Sequence, residues 1–316
     1  MSGTTAAAVG LLPFFQSPAV GSSFDAVSFA AALAIITALM LVLSYSTTRA
    51  VTGSSGGHDP SGPRDGTGPD GSGGSTDQFD THGSAPEPGP STTPDPSAPE
   101  PPEDPPAWLD ERETDPLAAM STGMLLANVA VTQGVFLVAV VAAAYFTSVP
   151  AAATGLSPAA FGPIPLLAGV GLGIGLYVAN EVGAAVAEGA GIEYDEHLRE
   201  SLAPGSVGGW AVLFGFVLPL VAVFEEVLFR AAMVGVLAAG FGVSPWLLAV
   251  GSSLLFAAGH GLQGPAGIVV TGGLGFVLAA AFVLTGSLAT VVVAHYLVNA
   301  LEFGVHEGLG VEWAPE

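Results

Sequence analysis

The 316-residue chain contains no cysteine. That absence excludes disulfides, thiolate metal sites and a cysteine nucleophile together. Lysine is missing as well. The five basic residues are Arg49, Arg64, Arg112, Arg199 and Arg230, set against 27 acids, for a formal charge of -22. An acid excess of this size repels nucleic acid and anionic lipid. It suits a very salty cytoplasm, as in a halophilic archaeon, where the medium screens self-repulsion; full folding and activity in low salt would contradict that expectation.

Half of the chain is hydrophobic and its mean hydropathy is +0.63, more apolar surface than a soluble domain can bury. Several runs exceed the roughly 17 to 25 residues that cross a bilayer as a helix. They lack period-2 alternation, so the spanning structure is helical and not a barrel. The expected fold is an all-α polytopic transmembrane bundle of about seven spans, near 26–46, 118–146, 164–188, 207 to beyond 230, 245–260, 266–285 and 287–304. The first run has no basic region before it and reads as a retained helix, not a cleaved leader.

Residues 53–116 carry 14 prolines and 14 acids with almost no apolar residue, and such a stretch cannot offset its ordering cost. The chain therefore divides into a first span (1–52), a disordered acidic linker (53–116), a second and third span (117–204), a helical core (205–304) and an acidic tail (305–316). Arg49, Arg64 and Arg112 fall between spans one and two, and Arg199 between spans three and four. With seven spans both loops share a side, which the arginine bias makes cytoplasmic, together with the C-terminus. Single cysteines at positions 70 and 310 should both escape an impermeant label in intact cells.

Polar residues inside the apolar runs carry the functional reading. The fourth run holds Glu225, Glu226 and Arg230 within six residues, and each such charge near mid-bilayer costs about 2.5 to 3.5 kcal/mol. Glu226 and Arg230 stand at i and i+4, where a carboxylate meets a guanidinium. Glu225 points about 100° away and is free for other work. The fifth run ends with Phe256 and His260 one turn apart, and the seventh places His295 and Asn299 at i and i+4. By helical rise, Glu225 and His260 lie roughly 21 and 22 Å below one shared surface, but His295 only about 12 Å below Ser287. His295 therefore needs a tilted or late-starting helix. Pro219 is expected to kink the fourth helix before the glutamates.

Two histidines, a carboxylate and an amide suit attack of water on a carbonyl. Glu225 takes the proton from water, His260 helps to hold that water, and His295 and Asn299 donate to the developing oxyanion. Glu226 and Arg230 fix the helix. Asn180 and Glu181 are expected to line a cavity or satisfy one another, and His58, His82, His197 and His306 to be ordinary solvated residues.

These residues resemble the CPBP membrane endopeptidases, also called the CAAX protease and bacteriocin-processing or Abi family. Glu225, Glu226 and Arg230 match its first motif, Phe256 and His260 its second, and His295 and Asn299 its third; Ala231 stands where the family has glycine. The similarity spans roughly 205–304. It implies a protease with Glu225 as base beside His260 and an oxyanion role for His295 and Asn299. The metalloprotease label raises a Zn(2+) or other divalent ion, for which Glu225, His260 and His295 offer three ligands; the same residues serve a metal-free reaction equally. Partners are then membrane lipid and a protein or peptide substrate at or in the membrane. The alternatives are a silent scaffold, which predicts a missing motif residue, and a transporter, which predicts an internal repeat; the chain shows neither sign.

Overall fold

A computed structural model describes residues 24–54, 120–189 and 197–311. The acidic linker expected at 53–116 lies almost wholly outside the described residues, as do 312–316 of the tail, His58 and His82.

All described elements are helical. They are α1 (Ala26–Ser54), α2 (Thr122–Phe146), α3 (Pro163–Gly189), the short α4 (His197–Leu202), α5 (Val207–Phe241), α6 (Pro245–Gly259), α7 (Gly264–Thr285) and α8 (Leu288–Glu302), which continues as a π-helical turn over Phe303–Gly308. Six of these are long and apolar enough to cross a membrane. The chain is therefore a multi-pass membrane protein with an all-helical bundle. The expected fifth span is α6, which forms where expected but has only 15 residues, so the count by length is six.

Helix ends follow local chemistry. Asp25 Oδ1 accepts from Ser28 N at the start of α1, and Ser121, Ser206 and Ser287 accept from the third backbone N–H beyond them, satisfying donors that a helix start leaves orphaned. Gly242 and Gly286 end α5 and α7 in the left-handed region (φ 66° and 61°), which a Cβ disfavours.

α5 is the axle of the bundle, and its residues from Phe229 to Val236 are buried without a break. One apolar cluster joins it to Phe29 and Leu33 of α1, Val140 of α2 and Phe256 of α6. A second joins it to Leu278 and Phe282 of α7 and Val291 and Ala294 of α8. By contrast Val27, Val131, Val138 and Leu167 are exposed, as expected of faces turned to lipid.

α5 does not run as a plain α-helix. It widens to π geometry over Leu213–Val217 and again over Val227–Val236. The first widening meets Pro219, where a kink was expected. In the π register Leu218 N bonds to Leu213 O, so the next donor would be Pro219, which has none. The orphaned Phe214 carbonyl accepts instead from the Tyr296 hydroxyl of α8 at 3.2 Å.

α8 packs most extensively along α3, through a stripe of small residues. A Cβ on Gly169 would stand 2.6 Å from Thr290 O, and one on Gly173 2.8 Å from Ala294 O, so these two glycines are what lets the backbones meet. The start of α8 is not at the surface. Ser287 is buried, its hydroxyl donates to Ala160 O at 3.1 Å, and Leu288 N donates to Gly155 O at 3.3 Å. The turns between α2 and α3 thus cover the beginning of α8, which starts late, below them.

Candidate active site

Four side chains that the sequence singles out are buried together. Glu225 is 8% exposed, Glu226 0%, Arg230 1% and His295 3%. Charges at that burial persist only when paired. Glu226 Oε1 accepts from Arg230 NH1 at 2.9 Å and from His295 Nδ1 at 2.7 Å. A carboxylate can only accept, so the proton of that second bond sits on Nδ1. His295 Nε2 then faces Glu225 Oε2 at 3.5 Å. In the imidazolium form this nitrogen donates too. His295 thus reaches Glu225, despite the shallower depth that straight α-helices predict.

Arg230 is held on three sides. Besides Glu226, its NH2 donates to Gly275 O at 2.9 Å, and its guanidinium lies 4.8 Å from the centre of the Phe256 ring, an attraction worth about 2 kcal/mol when desolvated. In the sequence Gly275 is one of several glycines in 267–276, with nothing to mark it as a partner of Arg230. A Cβ there would lie 2.9 Å from the Phe256 ring, so glycine keeps carbonyl and ring in place.

Phe256 also touches both histidines, with ring centres 4.6 Å from His260 and 6.1 Å from His295. His260 Nδ1 donates to Phe256 O at 2.7 Å, since a carbonyl only accepts. The neutral ring therefore keeps its lone pair on Nε2, the form that can hold or deprotonate water. α6 is pinned to α5 by Ser252 Oγ donating to Phe229 O at 2.6 Å, and its end to α1 by Ser44 Oγ donating to Gly259 O at 2.7 Å. The first span, which suggested no role, thus steadies the backbone beside His260.

Glu225, Phe256, His260, His295 and Asn299 all line one cavity of about 350 Å³, a size typical of ligand sites. Its remaining wall is largely apolar, from Leu126, Val129, Val217, Val221, Leu274 and Phe303.

The same cavity has a second polar end that sequence reasoning missed. Asn180 and Glu181 line it, as expected, but their partners lie on α8. Asn180 Nδ2 donates to Glu302 Oε1 at 2.6 Å, and His306 Nε2 lies 2.8 Å from Glu181 Oε1. His306 is therefore not the solvated residue its position suggested; the π turn after Glu302 keeps it on the bundle face. Among the described residues, the group of three whose ligand atoms lie within 4.8 Å of one another is Glu181, Glu302 and His306. This Glu/Glu/His set could coordinate a divalent metal. At the other end Glu225 and His295 bring two donors into range, but His260, the expected third ligand, does not join them within 4.8 Å.

Residues 207–301 match the family described as Type II CAAX prenyl endopeptidase Rce1-like. That stretch includes every motif residue from Glu225 to Asn299 and covers about a third of the chain. No curated protein and no solved structure matches it. Asn180, Glu181, Glu302 and His306 fall outside the match.

Proposed function

We propose that the chain is an intramembrane endopeptidase that hydrolyses peptide bonds of membrane-associated substrates with water activated by Glu225 and His260. The observation that carries this reading is Glu225 beside His295 on the wall of one cavity, with the imidazole held by the Glu226–Arg230 pair.

Water hydrogen-bonded to Glu225 and to His260 Nε2 attacks the substrate carbonyl carbon. Glu225 takes its proton, and the carbonyl oxygen becomes an oxyanion that Asn299 and the imidazolium of His295 receive. Collapse breaks the C–N bond, and Glu225 hands the proton to the leaving amine. Glu226 is a positioning residue: it fixes the His295 ring, as the partner of a working imidazole commonly does. Every step uses side chains of this chain alone. Should an ion sit at Glu225 and His295, it would supply Lewis-acid polarisation there.

The family match and the apolar walls support a substrate presented by the membrane. We place the linker and the C-terminus in the cytoplasm on the arginine bias, and attribute the acid excess to life in high salt. Activity that survives transfer to low salt would remove the second attribution. The test of the function compares peptide termini in membranes carrying wild type or Glu225→Gln at equal abundance. An accumulating precursor in the variant is the expected result, and identical termini would refute the hydrolase.

A further inference from the structure

We propose that Glu181, Glu302 and His306 bind one divalent transition-metal ion, which ties α3 to the end of α8 at the far side of the cavity. This inference is independent of the hydrolytic reading.

The spacing fits. Around an ion with tetrahedral bonds of about 2.0 to 2.1 Å, ligand atoms stand about 3.3 Å apart. His306 Nε2 lies 2.8 Å from Glu181 Oε1 and 3.8 Å from Glu302 Oε2, and the three ligand atoms all lie within 4.8 Å of one another, so side-chain adjustments alone would bring them to that spacing. The ligands come from two helices already packed at close range through Gly169 and Gly173, so the scaffold is in place before an ion arrives.

The charge also calls for a cation. Glu181, Glu302 and Glu307 are each at most 17% exposed, and the one guanidinium among them is Arg199, 3.3 Å from Glu302 and 3.0 Å from Glu307. Among the described residues, three carboxylates thus crowd around one guanidinium at the wall of an apolar bundle, a costly arrangement that a divalent cation would relieve.

The surroundings resemble those of a ligating set. Asn180 Nδ2 orients Glu302 through Oε1, and Arg199 holds Glu302 and Glu307, as outer partners do around metal ligands. His306 reaches the site because α8 widens to π geometry at Phe303–Gly308, a feature common at functional positions. The cavity gives access and room for water on the open positions. One imidazole and two carboxylates favour Zn²⁺, Mn²⁺ or Fe²⁺ over the all-oxygen cations Mg²⁺ and Ca²⁺.

The test uses the purified full chain in detergent, stripped with chelator and titrated with Zn²⁺ or Mn²⁺ by equilibrium dialysis. One ion per chain is expected, with affinity lowered about 100-fold or more in His306→Ala and in Glu302→Gln, and unchanged in His295→Ala. Should the His306 and Glu302 variants fail to fold, electron spin-echo spectra of Mn²⁺ on the wild type decide instead, because a bound imidazole nitrogen leaves a signature. Absence of stoichiometric binding, absence of that nitrogen, or binding lost in His295→Ala but kept in His306→Ala would overturn the site.

Discussion

Glu226 Oε1 is a shared acceptor: His295 Nδ1 reaches it at 2.7 Å and Arg230 NH1 at 2.9 Å. One oxygen thus joins the ion pair that makes α5 tolerable in a membrane to the ring that faces Glu225. Removing one partner of such a buried pair strands the other, at about 3 to 5 kcal/mol. Glu226→Ala should therefore lower unfolding stability in detergent by that order. The double replacement Glu226→Leu with Arg230→Met should recover most of the stability and none of the proteolysis, because the His295 ring has lost its acceptor. Recovery of both would show that Glu226 does not position the ring.

Asn299 lines the cavity one turn after His295. If it receives the oxyanion, Asn299→Ala should fold normally and reduce kcat by about 10² to 10³ with KM little changed. A rise in KM at constant kcat would assign it to substrate binding.

The two faces of α3 give opposite expectations for one substitution. Gly169→Ala meets Thr290 O and the Val293 side chain and should cost about 1 to 3 kcal/mol as the helices part. Gly171→Ala meets nothing within 4 Å and should be neutral or stabilising by up to about 1 kcal/mol through helix propensity. Thermal unfolding of the two variants side by side measures the difference.

Pro219 and Tyr296 should be coupled. Tyr296→Phe leaves the Phe214 carbonyl without its donor, at about 1 to 3 kcal/mol. Pro219→Ala supplies a backbone N–H at the position where the π register calls for it. The double variant should then lose less than Tyr296→Phe alone, and strict additivity in the cycle would break the link.

What the sequence made legible was whatever depends on short range. Hydropathy marks six spans and the short α6, serine and glycine mark several helix ends, and the i,i+4 spacings place Glu226 with Arg230. The π turns of α5 were not legible, because no local residue pattern marks a π register, although the first of them ends just before Pro219. The bond from Glu226 to His295 joins residues 69 positions apart, and helical rise alone left His295 too shallow. Glu302 and His306 were unreadable for a related reason: their partners on α3 are more than 120 residues away, and an acidic stretch after the last apolar run resembles a tail leaving the membrane.

The length of α6 has a consequence for the surrounding lipid. Fifteen residues advance about 22 Å, against a hydrocarbon layer of about 30 Å. Its C-terminal end, at Gly259 and His260, is thus held by Ser44 of α1 where acyl chains would otherwise extend further. Such a hydrophobic mismatch would draw the leaflet inward beside His260.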